Sequence, residues 1–270
     1  MNAVSIARIV RVGFTFRVKE MTRSGLFVFT SVIEPLIFAT LTYYLFNAGS
    51  KPETVVYSAL GAGMMGIWST TLFASGGAIS WQRWQGTLEL LVASPPPFLL
   101  VIFPLTLGSA SIGLYSLTAT LLWERLLFGL PFDPVHPFQF VVAVPSLIFG
   151  LGALGLVIAS SFVLYRNANA LSNMLEFPVW LATGVIVPLS LLPGWTSVIG
   201  WVLAPTWGFR AVRNSVFGGP VWPSIGMCFA LSAVYFVIAA WLMDVFEKRA
   251  RERATLSLVR PRSASSRSAG

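Results

Sequence analysis

The chain has 270 residues, 56% of them hydrophobic and only 10% charged, with a formal net charge of +8. Soluble domains carry roughly 25% charged residues, so this chain cannot cover itself with a water-compatible surface, and its mean hydropathy of +0.76 makes lipid its main solvent. The basic residues flank apolar runs, which assigns them to topology and anionic lipid rather than to nucleic acid.

The first 25 residues are punctuated by Arg8, Arg11, Arg17, Lys19, Glu20 and Arg23 and lack the unbroken apolar core of a cleavable signal peptide. Within 4–21, Ile6, Ile9, Val10, Phe14, Val18 and Met21 recur at helical spacing, with Arg8, Arg11 and Lys19 on other faces. That pattern predicts a basic amphipathic helix in the membrane interface, or a solvated helix packed on another domain. Either reading puts residues 1–25 at the cytoplasmic surface.

Apolar runs follow at 26–46, 55–79, 98–122, 138–164, 171–192 and 221–245. Each approaches the ~20 residues needed to cross the hydrocarbon, and lipid demands helices because the backbone must satisfy itself. Orientation follows from the 18 lysines and arginines. With the N-terminus inside, only Lys51, Arg125, Arg210 and Arg213 fall in outer loops, so both termini are cytoplasmic and six spans result. Residues 26–245 thus form one transmembrane domain in the plasma membrane. Residues 246–270 form a basic tail, which begins as a charged helix end at 247–253 and whose last dozen residues lack the apolar content to fold. The fold class is all-α integral membrane.

Cys228 and His136 each stand alone, so neither a disulfide nor a histidine-bearing metal cluster is expected, and Cys228 reads as a small buried hydrophobe. Gly61, Gly63, Gly66, Ser69, Ser75, Gly76 and Gly77 crowd the second span, and Gly150, Gly152, Gly155, Ser160 and Ser161 the fourth. Such small faces allow close helix packing, or line a pathway or a dimer seam. Glu34, Glu176 and Asp244 are ionisable residues in or near spans, where carboxylates are costly. Glu34 and Glu176 fall toward the cytoplasmic ends, where they could pair with Arg23 or Arg166; otherwise they belong to a pathway or a pairing surface. No chain of buried acids crosses the bilayer, which argues against a proton-coupled carrier.

Two segments behave neither as spans nor as plain loops. Residues 81–95 bring Trp81 and Trp84 together with Arg83 and Glu89, and end in Pro95, Pro96 and Pro97. They read as a short amphipathic cytoplasmic helix stopped by proline, a handle for another protein or an interfacial loop. Residues 184–213 lie outside, and the apolar stretch 195–203 between Pro193 and Pro205 is too short to span. It reads as a re-entrant or interfacial segment.

Together the two segments carry a resemblance. Arg83, Gly86, Thr87, Leu88 and Glu89, followed by Leu90, Leu91, Ser94 and Pro95, resemble the cytoplasmic motif of type-2 (ABC-2) transporter permeases. Gly184, Pro188, Leu192, Pro193, Trp195, Pro205, Arg210 and Arg213 resemble the same family's outer motif. Family members often carry an acidic residue before the arginine, where this chain has Gln82. The resemblance implies a drug-resistance-type exporter permease in which 83–95 is the coupling helix docked on a separate ATP-binding subunit. It also implies pairing with a second copy or a sister permease. No Gly-x-x-x-x-Gly-Lys-Ser/Thr loop is present, so this chain is expected to bind no cofactor, with ATP and Mg on the partner. The expected cargo is a hydrophobic or amphipathic drug, antibiotic or lipid-like molecule. The alternatives are a lipid-linked polysaccharide exporter of the same fold and a non-transporting structural subunit. A membrane enzyme lacks the required paired acids or histidines.

Overall fold

A computed structural model of the chain describes residues 3–47, 52–84, 86, 96–129, 132–164, 168–185 and 193–259. Among these residues every regular element is a helix, as a backbone without water to bond requires. In chain order they are α1 (Ala3–Arg23), α2 (Gly25–Asn47), α3 (Pro52–Trp84), α4 (Phe98–Ile112), α5 (Leu114–Phe128), α6 (Pro137–Leu164), α7 (Ala168–Thr183), α8 (Gly194–Val202), α9 (Ala204–Phe217) and α10 (Val221–Val259).

Helices α3 and α6 form the centre. Helix α3 touches α2, α4, α5, α6 and α7, while α6 packs against α3, α4, α9 and α10. Leu60, Met64, Ile67 and Trp68 of α3 meet Leu147 and Leu151 of α6 and Phe209 of α9 in one fully buried cluster. The glycines noted in the sequence at 61, 63, 66, 150, 152 and 155 sit at helix contacts. A Cβ on Gly155 would come 2.6 Å from the Ser75 hydroxyl, and one on Gly150 would come 2.7 Å from Cys228 Sγ. The small faces among the described residues therefore serve close packing within the chain. Cys228 is buried and donates to the Ser146 carbonyl at 3.4 Å, a packing residue as expected.

Among the described residues, four helical stretches are long and apolar enough to cross a membrane: Phe27–Leu45, Phe98–Phe128, Pro137–Ser161 and Val221–Val245. The expected second span is helical throughout, inside α3. The third runs on to Phe128 and is broken at Gly113, where α4 gives way to α5. There a Cβ would meet the Ile67 Cα at 2.6 Å, so glycine at 113 lets α3 approach. The expected fifth span ends sooner as a helix: α7 stops at Thr183. Residues 186–192, which the sequence reading adds to it, lie outside the described residues. The last helix continues to Val259, and the expected unfolded tail beyond it also lies outside.

Helix α1 departs from a free interfacial helix. It runs beside α4 in the same direction: Gly13 abuts Pro104, Gly108 abuts Arg17, and Met21 clusters with Ile112. Arg8, Arg11 and Lys19 face outward as expected, but Arg17 is buried. Its Nε donates to the Ser109 hydroxyl (3.1 Å), one terminal nitrogen pairs with Glu20 (2.7 Å), and the other donates to the Ala74 carbonyl (2.8 Å). A side chain that the sequence shows as one more positive charge thus ties α1 to α4 and α3. Ser24 alone separates α1 from α2, its hydroxyl accepting from the Phe27 N–H at 3.4 Å in the manner of an N-cap.

Candidate functional site

The outer motif of the sequence folds into a clasp. Helix α7 ends at Gly184, whose φ of +68° is costly for any other residue. The Gly184 N–H bonds the Leu181 carbonyl and the Val185 N–H bonds the Trp180 carbonyl, a pairing that closes a helix over a left-handed glycine. The carbonyls of Gly184 and Val185 then point away from their own helix, and both are taken by Arg213 of α9, that of Gly184 at 2.6 Å. The guanidinium lies 3.9 Å from the Tyr57 ring centroid, and the Tyr57 hydroxyl donates to the Gly184 carbonyl at 3.1 Å. Helix α3 comes this close because position 61 is glycine: a Cβ there would sit 2.5 Å from the Val185 carbonyl oxygen. The clasp joins α9 to α7 through two charge-assisted bonds of about 1.5–3 kcal/mol each, and α3 to both through the Tyr57 hydroxyl and ring.

The other motif residues frame this clasp. Pro193 precedes α8 and Pro205 begins α9, positions that tolerate a missing N–H. Trp195 is 65% exposed, with Val198, Ile199, Trp201 and Val202 also exposed, while Thr196 and Gly200 face inward. Helix α8 therefore shows an apolar surface to its surroundings. Arg210 is exposed and lies 4.9 Å from the Trp207 ring centroid. Pro188 lies outside the described residues. The structure thus brings Gly184 and Arg213 together and leaves Trp195 and Arg210 at the periphery.

Of the cytoplasmic motif, Arg83 lies on the last turn of α3. Gly86 is exposed with φ +70°, and nothing stands within 4 Å of where its Cβ would be. The chain leaves α3 there through an open turn. Thr87, Leu88, Glu89, Ser94 and Pro95 lie outside the described residues.

Glu34 and Glu176 come together across the bundle. Glu176 is buried and accepts a 2.5 Å hydrogen bond from the Ser69 hydroxyl, and it lies within Coulombic reach of Glu34. Ser69 is near the middle of α3, so the pair sits at mid-height of that helix rather than at its end. Neither acid has a basic partner among the described residues, where the one ion pair is Arg17–Glu20; Arg166 lies outside them. Sequence reasoning missed Tyr57, Arg17 and Glu124. Glu124 was left out because the third span was ended at 122, yet it is 1% exposed with both carboxylate oxygens unpartnered.

The family model described as ABC-2 type transporter matches residues 10–217. No curated protein matches the chain. The match takes in both motifs and most of the helices, and the chain belongs to the ABC-2 type transporter family. It is a multi-pass membrane protein and a transporter permease subunit, a part of the machinery that carries cargo rather than a catalytic one.

Proposed function

We propose that this permease is the membrane half of an ATP-driven exporter that moves a hydrophobic or amphipathic molecule out of the cytoplasm. Its location is the plasma membrane, with both termini cytoplasmic. A separate ATP-binding subunit, carrying ATP and Mg, docks on residues 83–95, and a second permease, a copy or a sister chain, completes the path. The observation that carries this reading is a family match continuous over 10–217, enclosing both motif segments.

The geometry supplies a mechanism. Helix α3 has 33 residues, about 50 Å of rise. One end leads into the docking segment; the other carries Tyr57 and Gly61 into the clasp. When ATP draws the partner subunits together, movement of 83–95 tilts α3 as a lever. The clasp and the α3–α6 seam transmit that tilt as a rigid-body change that alternates access. Arg83 and Glu89 orient the docked surface, and Gly86 permits close approach.

Purification of the tagged chain from its native membrane in mild detergent tests the reading. Mass spectrometry is expected to find an ATP-binding subunit with a phosphate loop in the eluate. A structural subunit would come down without one, under conditions that hold a known complex of this kind together.

A further inference from the structure

Glu34 lines a cleft, Glu176 is bonded to the Ser69 hydroxyl that also lines it, and the cleft has the chemistry of a cation site. Its volume is about 270 Å³. Ser31, Glu34, Ser69 and Thr70 supply its polar wall, with the rings of Phe27 and Phe73 beside them. Three observations point to a ligand. First, Glu34 is exposed on α2, within a candidate span, and makes no ion pair among the described residues. A carboxylate in hydrocarbon without a counter-charge is costly. Second, Glu176 is buried behind it, held by Ser69, and likewise lacks a cation. Third, Thr70 is only 6% exposed and lines the cleft, yet its hydroxyl makes no hydrogen bond among the described residues. Its neighbour Thr71 returns its hydroxyl to the Ile67 carbonyl, the usual recourse of threonine in a helix. Thr70 does not.

A separate apolar groove of about 700 Å³ runs along the exposed stripe of α2 that also carries Glu34, lined by Ile33, Ile37, Leu41, Tyr44 and Trp123. From Glu34 to Tyr44 the helix rises about 15 Å. The acids therefore stand at one end of a groove long enough for an alkyl or ring system.

We propose that Glu34, Glu176 and Thr70 bind the ammonium head of an amphipathic organic amine whose apolar body lies in the groove along α2. This rests on the permease reading above and narrows its cargo to cationic amphiphiles. Glu34 supplies the counter-charge, Thr70 an acceptor for a second ammonium hydrogen, and Glu176 a buried negative potential that Ser69 orients. The competing occupants are an inorganic cation in the cleft and a second copy of the chain over the groove.

The test uses the full chain in nanodiscs of zwitterionic lipid and radiolabelled decylammonium, with empty nanodiscs subtracted. Saturable binding is expected, competed by other alkylammonium ions and not by decanol or decanoate. Glu34→Gln is expected to weaken it at least about tenfold, since the lost attraction acts in a low dielectric. Thr70→Val serves as a second variant with a neutral, isosteric change and a smaller loss. Three results would each overturn the proposal: equal binding of decanol, displacement by 100 mM-scale sodium or potassium as by amines, or unchanged affinity in both variants. Absence of saturable binding, as when a second copy covers the groove, overturns it too. The assay needs no ATP-binding subunit. Amine-selective binding with no such subunit recovered from the membrane would sink the exporter reading alone, and the reverse outcome would sink only the amine site.

Discussion

Arg213 closes the end of α7 with two hydrogen bonds to carbonyls while lying over Tyr57. Both roles use the planar fork of the guanidinium, which lysine lacks. Arg213→Lys is therefore expected to destabilise the protein by about 1.5–3 kcal/mol, read as a lowered midpoint of thermal unfolding in detergent. An unchanged midpoint would show that the clasp contributes nothing. Glu124 poses the opposite case, a carboxylate buried with neither oxygen bonded. Glu124→Met is expected to leave stability equal or raise it by about 1–3 kcal/mol, because an unpaired buried polar group is replaced by an apolar one of similar size. A marked loss in the same assay would mean that the carboxylate has a partner in the assembled protein. The sequence made Gly184 and Arg213 legible as motif members, but not as a pair, because they stand 29 positions apart and only the fold sets which carbonyls are orphaned. Arg17 carried a readable signal: it falls three residues after Phe14 and four before Met21, on the apolar face of α1. Treating it as one more topological charge concealed that.

Among the elements, α3 bears the strongest constraint. Position 61 admits no side chain without moving the Val185 carbonyl, a backbone atom held by Arg213. Gly61→Ala is expected to cost about 1–3 kcal/mol by overpacking. Its effect should be non-additive with Arg213→Ala, since both changes loosen the same contact. A double-mutant cycle on thermal unfolding measures this, and strict additivity would detach α3 from the clasp. Most helices were legible because apolar runs in lipid have one backbone solution. Their ends were less so. Helix α4 stops at Gly113 inside an unbroken apolar run, at a glycine whose close approach to Ile67 of α3 only the fold reveals. Helix α7 stops at Gly184 within a hydrophobic stretch that composition alone extends to 192. Helix α1 was assigned to the interface by its amphipathicity, which reports that one face is apolar and leaves open whether lipid or α4 covers it.

At the scale of the whole molecule, the family was legible from two short motifs at opposite ends of a helical bundle, and the match over 10–217 bears that out. The mid-height meeting of Glu34 and Glu176 was not, because it depends on α2 and α7 both packing against α3 near Ser69. The account makes α3 the link between an ATP-driven push at 83–95 and the clasp at its far end. The measurement that tests this most directly is ATP hydrolysis by the complex purified from native membranes, with the native chain and with Glu89→Ala. The account predicts vanadate-sensitive hydrolysis with the native permease. With Glu89→Ala it predicts hydrolysis reduced by about tenfold or more, as for loss of a charged docking contact of roughly 1.4 kcal/mol. A stable, intact complex without ATP hydrolysis, or hydrolysis indifferent to the substitution, would contradict it.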